Sequence, residues 1–397
     1  MPRMMIALVS DQRMQNVIPI LQAGARYDEL TLVLSKDRRT GKPLDRYVHS
    51  AGDLKAVLEG NLKVNTCQEW VDPYNIEVVM AVVGSCIQDS GHDDQVVNIS
   101  GGTKPMAIGA LRAAQAAQVP SLYTNTEDNE ILWLFPDGST SSEPIQVVGL
   151  DVPLYIRAYG ERVTESKTVA DLDAACQTWA EIIGSNHKVI YQQVVVPIMS
   201  AIKEAHREKS GLPIVCSVRP THRQLGIIEQ LAQEGLWEWD QGSGQITVAE
   251  ELAIECLNGF WVEHYVAMKM QYSGLFDDVR LNVKLDGVDG EIDVAAVSNG
   301  KLVLVECKSN VQRSEQLSKL DSFRRRLGGP FAQAYYGRAS EAYAAQIQAQ
   351  ARKFGLNGVV FGAQIRDIGE VIGKNLGTLP KPYHLPDNAK PTSVGLA

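Results

Sequence analysis

No run in this 397-residue sequence approaches the roughly 20 apolar residues that a membrane-spanning helix needs, so no membrane partner is expected. A secretory signal is lacking as well. MMIALV is too short for a signal-peptide core and runs straight into Ser10, Asp11 and Gln12, so it reads as a first buried strand. The six cysteines, Cys67, Cys86, Cys176, Cys216, Cys256 and Cys307, include no CxxC pair and no zinc spacing, which marks them as reduced packing residues of a cytoplasmic protein. There is no GxGxxG and no GxxxxGK[ST], so neither a dinucleotide cofactor nor a P-loop is indicated. Positive charge is also scarce. A net charge of −9 argues against general nucleic-acid affinity, but the deficit is uneven: from Glu251 onward 17 Lys plus Arg face 16 Asp plus Glu.

The chain exceeds what one hydrophobic core organises, and two or three domains are expected. Strand-like runs at MMIALVS, ELTLVLS, DQVVNIS, PSLYTN and EILWLF alternate with amphipathic stretches such as MQNVIPILQAG and KPMAIGALRAAQAAQ. That alternation predicts a doubly wound, Rossmann-like parallel sheet over 1–150. At DVPLYIRAYG the pattern becomes helix-rich, opening a middle segment, 151–250, before a third unit, 251–397. Within the middle segment, RPTHRQLGIIEQLAQEGLWEWDQGSGQITVA resembles a winged helix, a helix followed by two strands around the turn QGSG. Glu238 and Asp240 place negative charge on that wing, which favours a spacer or dimerising role over DNA reading.

The densest chemistry lies in GEIDVAAVSNGKLVLVECKS. Asn299-Gly300 between two β-rich runs predicts a two-residue type I′ turn. Ser298 then faces Lys301, Asp293 lies opposite Glu306, and Glu291 lies opposite Lys308. Period-two alternation puts all four charged groups on one face, continued by Ala295, Val297, Leu302 and Leu304. Ile292, Val294, Ala296, Val303, Val305 and Cys307 form the other face, so both faces are apolar and the strands read as buried. Facing carboxylates repel unless something positive sits between them, and oxygen ligands of this kind suit Mg²⁺ or Mn²⁺. Lys308 would orient or deprotonate an attacking water. The competing reading is a pair of surface acids salt-bridged to Lys308. Arg324, Arg325 and Arg326, with Lys319 earlier on the same expected helix, are either phosphate contacts or an ordinary solvated face.

Ligands of a doubly wound sheet bind beyond the carboxyl ends of its strands. Ser10, Asp11 and Gln12 follow the first strand, and Ser100, Gly101, Gly102, Thr103, Lys104 and Pro105 follow a later one. Glycines admit close backbone approach, Thr103 can donate, Lys104 is cationic, and Pro105 suits the first turn of a helix whose N-terminus favours phosphate.

Asp, then Glu-x-Lys on the next strand, resembles the core of the PD-(D/E)XK nuclease superfamily. Joined to Ser-Asp-Gln and GGTKP loops on a Rossmann-like domain, it resembles the CARF-domain nucleases associated with CRISPR. The resemblance implies an α/β homodimer in which an N-terminal CARF domain binds a cyclic oligoadenylate, typically cyclic tetra-adenylate, and thereby activates a C-terminal Mn²⁺- or Mg²⁺-dependent nuclease. Such nucleases cut DNA and in some cases RNA in type III antiviral defence. By that resemblance Ser10 to Gln12 and Ser100 to Pro105 line the messenger pocket. Asp293, Glu306 and Lys308 match the nuclease core, with Glu291 beside them and a further Glu, Glu263, supplied by the helix GFWVEHYVAMKM. Asp293, Glu306 and the Cys307 backbone carbonyl would hold the metal. Two other readings are a ligand-controlled winged-helix transcription regulator with an inert nuclease-like domain, and a constitutive repair or restriction-type endonuclease.

Overall fold

The computed structural model describes residues 3–208, 211–309 and 314–377. Its strands are β1 (Arg3–Leu8), β2 (Glu29–Ser35), β3 (Asn65–Val71), β4 (Asp94–Asn98), β5 (Ser121–Asn125), β6 (Glu130–Leu134), β7 (Thr140–Pro144) and β8 (Val163–Thr168). They continue with β9 (Ile214–Ser217), β10 (Glu238–Asp240), β11 (Gln245–Val248), β12 (Asp278–Leu285), β13 (Glu291–Ser298), β14 (Lys301–Lys308), β15 (Ala332–Arg338) and β16 (Gly358–Phe361).

The first seven strands form one sheet in the order β3-β2-β1-β4-β5-β6-β7. β3 through β5 are parallel, the doubly wound pattern, whereas β6 and β7 extend the sheet antiparallel. The chain leaves β1 toward β2 and β3, then crosses back to place β4 on the other side of β1. The topological switch point therefore lies between β1 and β4, the strands that end in Ser10–Gln12 and Ser100–Pro105.

A six-stranded sheet, β16-β15-β14-β13-β12-β8, forms the C-terminal unit. Its edge strand β8 comes from residues 163–168, well before Glu251, and pairs antiparallel with β12. Alternating polar residues in VTESKT suit a half-exposed edge, which is why hydropathy alone did not attach it to the buried strands. In sequence between β8 and β12, the helix His222–Gln233 is followed by the β10–β11 hairpin, which β9 completes as a three-stranded antiparallel sheet. Trp237 is buried there and its indole N–H donates to Ile228 O.

One apolar core joins the N-terminal and C-terminal sheets. Met14, Val17 and Ile18 of the helix Met14–Leu21 pack in the same cluster as Ala295, Val297, Leu302 and Leu304, together with Tyr155, Leu317 and Leu320. The opposite face of the C-terminal sheet, Val294, Ala296, Val303, Val305 and Cys307, packs against the helices Ala174–Ile190, Trp261–Tyr272 and Ile368–Leu376. Polar ties reinforce the junction: Val152 N–H donates to Asp278 Oδ2, Asn129 Nδ2 and Lys301 Nζ both donate to Leu376 O, and Tyr155 Oη donates to Phe331 O.

Candidate nuclease centre and nucleotide pocket

The β13–β14 hairpin turns at Asn299 (φ 46°) and Gly300 (φ 79°), the pair of positive φ values that a type I′ turn demands. Its ladder runs in the expected register from Ser298↔Lys301 to Val294↔Val305. It stops one pair short of Asp293. Here the structure departs from the uninterrupted ladder expected from the spacing, because the Asp293 carboxylate takes the place of backbone pairing. Cys307 N–H donates to Asp293 Oδ2 at 2.7 Å, and Lys308 Nζ donates to the same oxygen at 2.9 Å. Ile292, beyond that break, packs with the core shared by both sheets rather than with Val294 and Ala296. The strands thus part where the charged residues begin, opening a cleft of about 530 Å³ lined by Glu291, Asp293, Glu306, Lys308 and Lys319.

Lys308 stands between the two acids, with Nζ 2.8 Å from Glu306 Oε1 as well. Burial alone would lower its pKa, but Asp293 and Glu306 more than offset this and raise it. An ammonium so held can donate to a water or a phosphate oxygen.

One lysine does not neutralise this site. Partial burial and the neighbouring Asp293 together push the Glu306 carboxyl up to about 7. Glu263, on the helix Trp261–Tyr272, is pushed up to about 8 by burial and by Asp293. Its Oε2 accepts from Asn282 Nδ2 at 3.1 Å. Asn282 has a left-handed backbone (φ 50°) in the middle of β12, a conformation that Asn tolerates better than most residues, and nothing in the sequence singled it out. Glu263, Asp293, Glu306 and Lys308 are therefore brought together, and Glu291 lines the same cleft while pairing with Lys284 across β12–β13.

Among the described residues no three His, Cys, Asp or Glu side chains form a ready-made metal cage. The donor set suits instead an ion that takes one or two carboxylates and completes its shell with water and substrate phosphate. Glu263, buried, and Glu306, partly so, leave uncompensated negative charge around one lysine when ionised, and a hard divalent cation fits that deficit.

At the other site the backbone of β1 and β4 is drawn close. A Cβ on Gly101 would stand 2.1 Å from Leu8 O, so only glycine fits where the two loops touch. Beneath the loops, fully buried Asn16 and Asn98 are bonded to each other, and Asn16 Nδ2 donates to Leu8 O while Asn98 Nδ2 donates to Gln15 O. Ser100 Oγ donates to Asn98 Oδ1 and accepts from Thr124 N–H. Thr103 caps the helix Lys104–Ala116 by accepting from Met106 N–H, and its hydroxyl proton goes to Pro73 O. Ser100 and Thr103 thus shape the loop, and Lys104 is exposed at the helix N-terminus. Beside Thr103 lies a further pocket of about 280 Å³ lined by Lys36, Arg38, Arg39, Arg46 and Tyr74. Four of these five residues come from or follow the basic run SKDRRTGK directly after a buried strand, a legible signal in the sequence.

Residues 4–153 match the family model described as the Card1 CARF domain, and residues 250–370 match the one described as the Card1-like endonuclease domain. The chain belongs to the CARF-domain nucleases. Among solved structures it is similar to protein VC1899 from Vibrio cholerae, with 17% identity over 94% of this chain and 98% of that one and a TM-score of 0.73. It is also similar to Can2 from Sulfobacillus thermosulfidooxidans, solved in complex with cyclic tetra-adenylate, at 18% identity, 94% and 97% coverage and a TM-score of 0.69. A type III CRISPR defence DNA nuclease activated by cyclic oligoadenylate matches at 16% identity over 85% of this chain and 45% of that one, with a TM-score of 0.52. At these identities the likeness is one of fold. No curated protein matches the chain by sequence.

Proposed function

We propose that the chain is a metal-dependent endonuclease of the PD-(D/E)XK type, switched on by a cyclic oligoadenylate, with cyclic tetra-adenylate as the messenger of choice. The observation that carries this reading is the parting of the hairpin at Asp293, which gathers Glu263, Asp293 and Glu306 around one protonated lysine in an open cleft. The solved likeness of Can2 with cyclic tetra-adenylate supports the choice of messenger.

In the cleft, Asp293 and Glu306, with the Cys307 carbonyl, would hold Mn²⁺ or Mg²⁺. The ion would supply a more acidic bound water and offset charge on the phosphate. Lys308 donates hydrogen bonds to the attacking water or to a non-bridging oxygen and balances the charge that builds as the phosphorus–oxygen bond breaks. Glu263 carries a proton near neutral pH until a cation draws the acids into their ionised forms, with Asn282 fixing its orientation. Glu291 edges the substrate path. The substrate class is nucleic acid, DNA foremost and RNA second.

At the switch point, Ser10, Asp11, Gln12 and the Ser100–Pro105 loop would receive the messenger, with Lys104 and the Arg38, Arg39 and Arg46 cluster facing its phosphates. A two-fold symmetric ring suits a homodimer in which each subunit contributes the same loops. The three-stranded unit of β9, β10 and β11 with its helix would serve as spacer, since Glu238 and Asp240 on its hairpin disfavour phosphate. The protein would act in the cytoplasm, and among the described residues no helix is long and apolar enough to cross a membrane. Chelation tests the metal: EDTA should abolish messenger-activated cutting and Mn²⁺ should restore it, whereas undiminished cutting in EDTA would refute metal dependence.

A further inference from the structure

Three lysines line the nuclease cleft, and their circumstances differ. Lys284 is paired with Glu165 at 2.7 Å, and Lys308 is held by Asp293 and Glu306. Lys319 has no ion pair or hydrogen bond among the described residues, yet its position is defined. Its Nζ lies 5.7 Å from the centroid of the Phe323 ring, one turn further along the same helix. On the other side it passes over Gly290 (φ 92°), where a Cβ would come within 1.8 Å of Nζ. Gly290 is thus needed for its backbone conformation, and the Lys319 side chain lies over it.

The arginine triplet on this helix is differently disposed. Arg324 and Arg325 share Asp321, at 2.7 and 2.8 Å, and Arg326 pairs with Glu161. These guanidinium groups have acid partners within the protein. Of the basic residues that the sequence offered as phosphate contacts on this helix, Lys319 alone opens onto the cleft that holds Asp293 and Glu306.

We propose that Lys319 grips a backbone phosphate of the nucleic-acid substrate next to the scissile bond. This rests on the nuclease reading above. A lysine ammonium binds a phosphodiester as a point charge without reading base identity, so the contact would set affinity and register and not sequence preference.

The test uses the full chain with Mn²⁺ and cyclic tetra-adenylate, measuring kcat, KM and the dependence of KM on salt. An exposed pair of this kind is worth up to about fivefold in affinity. Lys319→Ala should therefore raise KM by about that factor with kcat little changed, and should make the plot of log KM against log salt shallower by about one unit. Lys319→Arg should restore both. Arg325→Ala, whose side chain is already paired, should change neither quantity. If the parent cuts and Lys319→Ala keeps the parental KM and salt slope, the clamp is wrong while the nuclease reading stands. If the parent cuts none of the nucleic acids with metal and messenger present, the nuclease reading falls and the clamp with it.

Discussion

Ile18 lies against Gly300 so closely that a Cβ on the glycine would stand 2.4 Å from Ile18 Cδ1. Ile18 belongs to the helix that starts just after Ser10, Asp11 and Gln12, and Gly300 is the turn of the hairpin whose far ends carry Asp293, Glu306 and Lys308. The Ile18–Gly300 contact is therefore one of those that join the two candidate sites inside a continuous core. Coupling between sites needs such a physical connection together with two states that it can bias. Ile18→Ala should leave messenger binding intact and reduce the ratio of cutting with messenger to cutting without it by several-fold. An unchanged ratio would remove this contact from the coupling. Gly300→Ala, which adds a clash to an unfavourable φ, should also lower the free energy of unfolding by about 1–3 kcal/mol, measured by denaturant unfolding.

Removing the charged groups of the cleft separates chemistry from gating. Asp293→Ala and Lys308→Ala should each lower cleavage at least a hundredfold, the scale expected for loss of one preorganised electrostatic contact. Calorimetric titration with cyclic tetra-adenylate should give the parental affinity in both. Retained turnover in either variant would take that residue out of the mechanism.

The raised acids make a pH prediction that does not depend on activity. Glu263 and Glu306 hold protons in the folded chain up to about 8 and about 7, whereas an unfolded Glu releases its proton near 4.5. The folded state thus binds more protons between those limits, so the stability from these groups is complete below about 4.5 and is lost as pH rises through 7 to 8. In EDTA the melting temperature should fall over that range, and Glu263→Gln should flatten the fall. Mn²⁺ should raise the melting temperature more at pH 8 than at pH 6, since it competes with those protons. A Mn²⁺ shift that does not grow with pH would contradict the placement of the ion among these acids.

In the nucleotide pocket, two residue types should behave differently. Lys104→Ala and Arg39→Ala should weaken cyclic tetra-adenylate binding and activation together, with no change in melting temperature. Thr103→Val removes both the helix cap and the bond to Pro73, so it should cost about 1 kcal/mol of stability in addition to any loss of affinity. Binding unaffected by Lys104→Ala would sink that part of the pocket.

The hairpin was legible because its determinants are local. Asn299-Gly300 dictates the turn, the turn dictates the register, and period-two alternation then places the acids. The strands β1, β2, β4, β5 and β6 were legible for a similar reason, each being a short run of buried apolar or β-prone residues. β3 escaped notice because NTCQEWV is an exposed edge with few apolar residues. Long-range pairings were not legible at all. The addition of β8 to the C-terminal sheet, the acid partners of the arginine triplet, and the grip of Asn282 on Glu263 all depend on topology, and neighbours in sequence carry no trace of it. Even the hairpin kept one feature hidden: spacing put Asp293 opposite Glu306, and only the structure shows the ladder giving way to a carboxylate just before it.

The central claim is that a cyclic nucleotide bound at the β1/β4 switch point controls phosphodiester cleavage at Asp293, Glu306 and Lys308. Its most direct test is the rate of cleavage of supercoiled DNA, single-stranded DNA and RNA in Mn²⁺, measured with and without cyclic tetra-adenylate. The account predicts cutting that depends on the messenger, with DNA the better substrate. Equal cutting in its absence, or tight messenger binding with no cutting of any of the three, would contradict it.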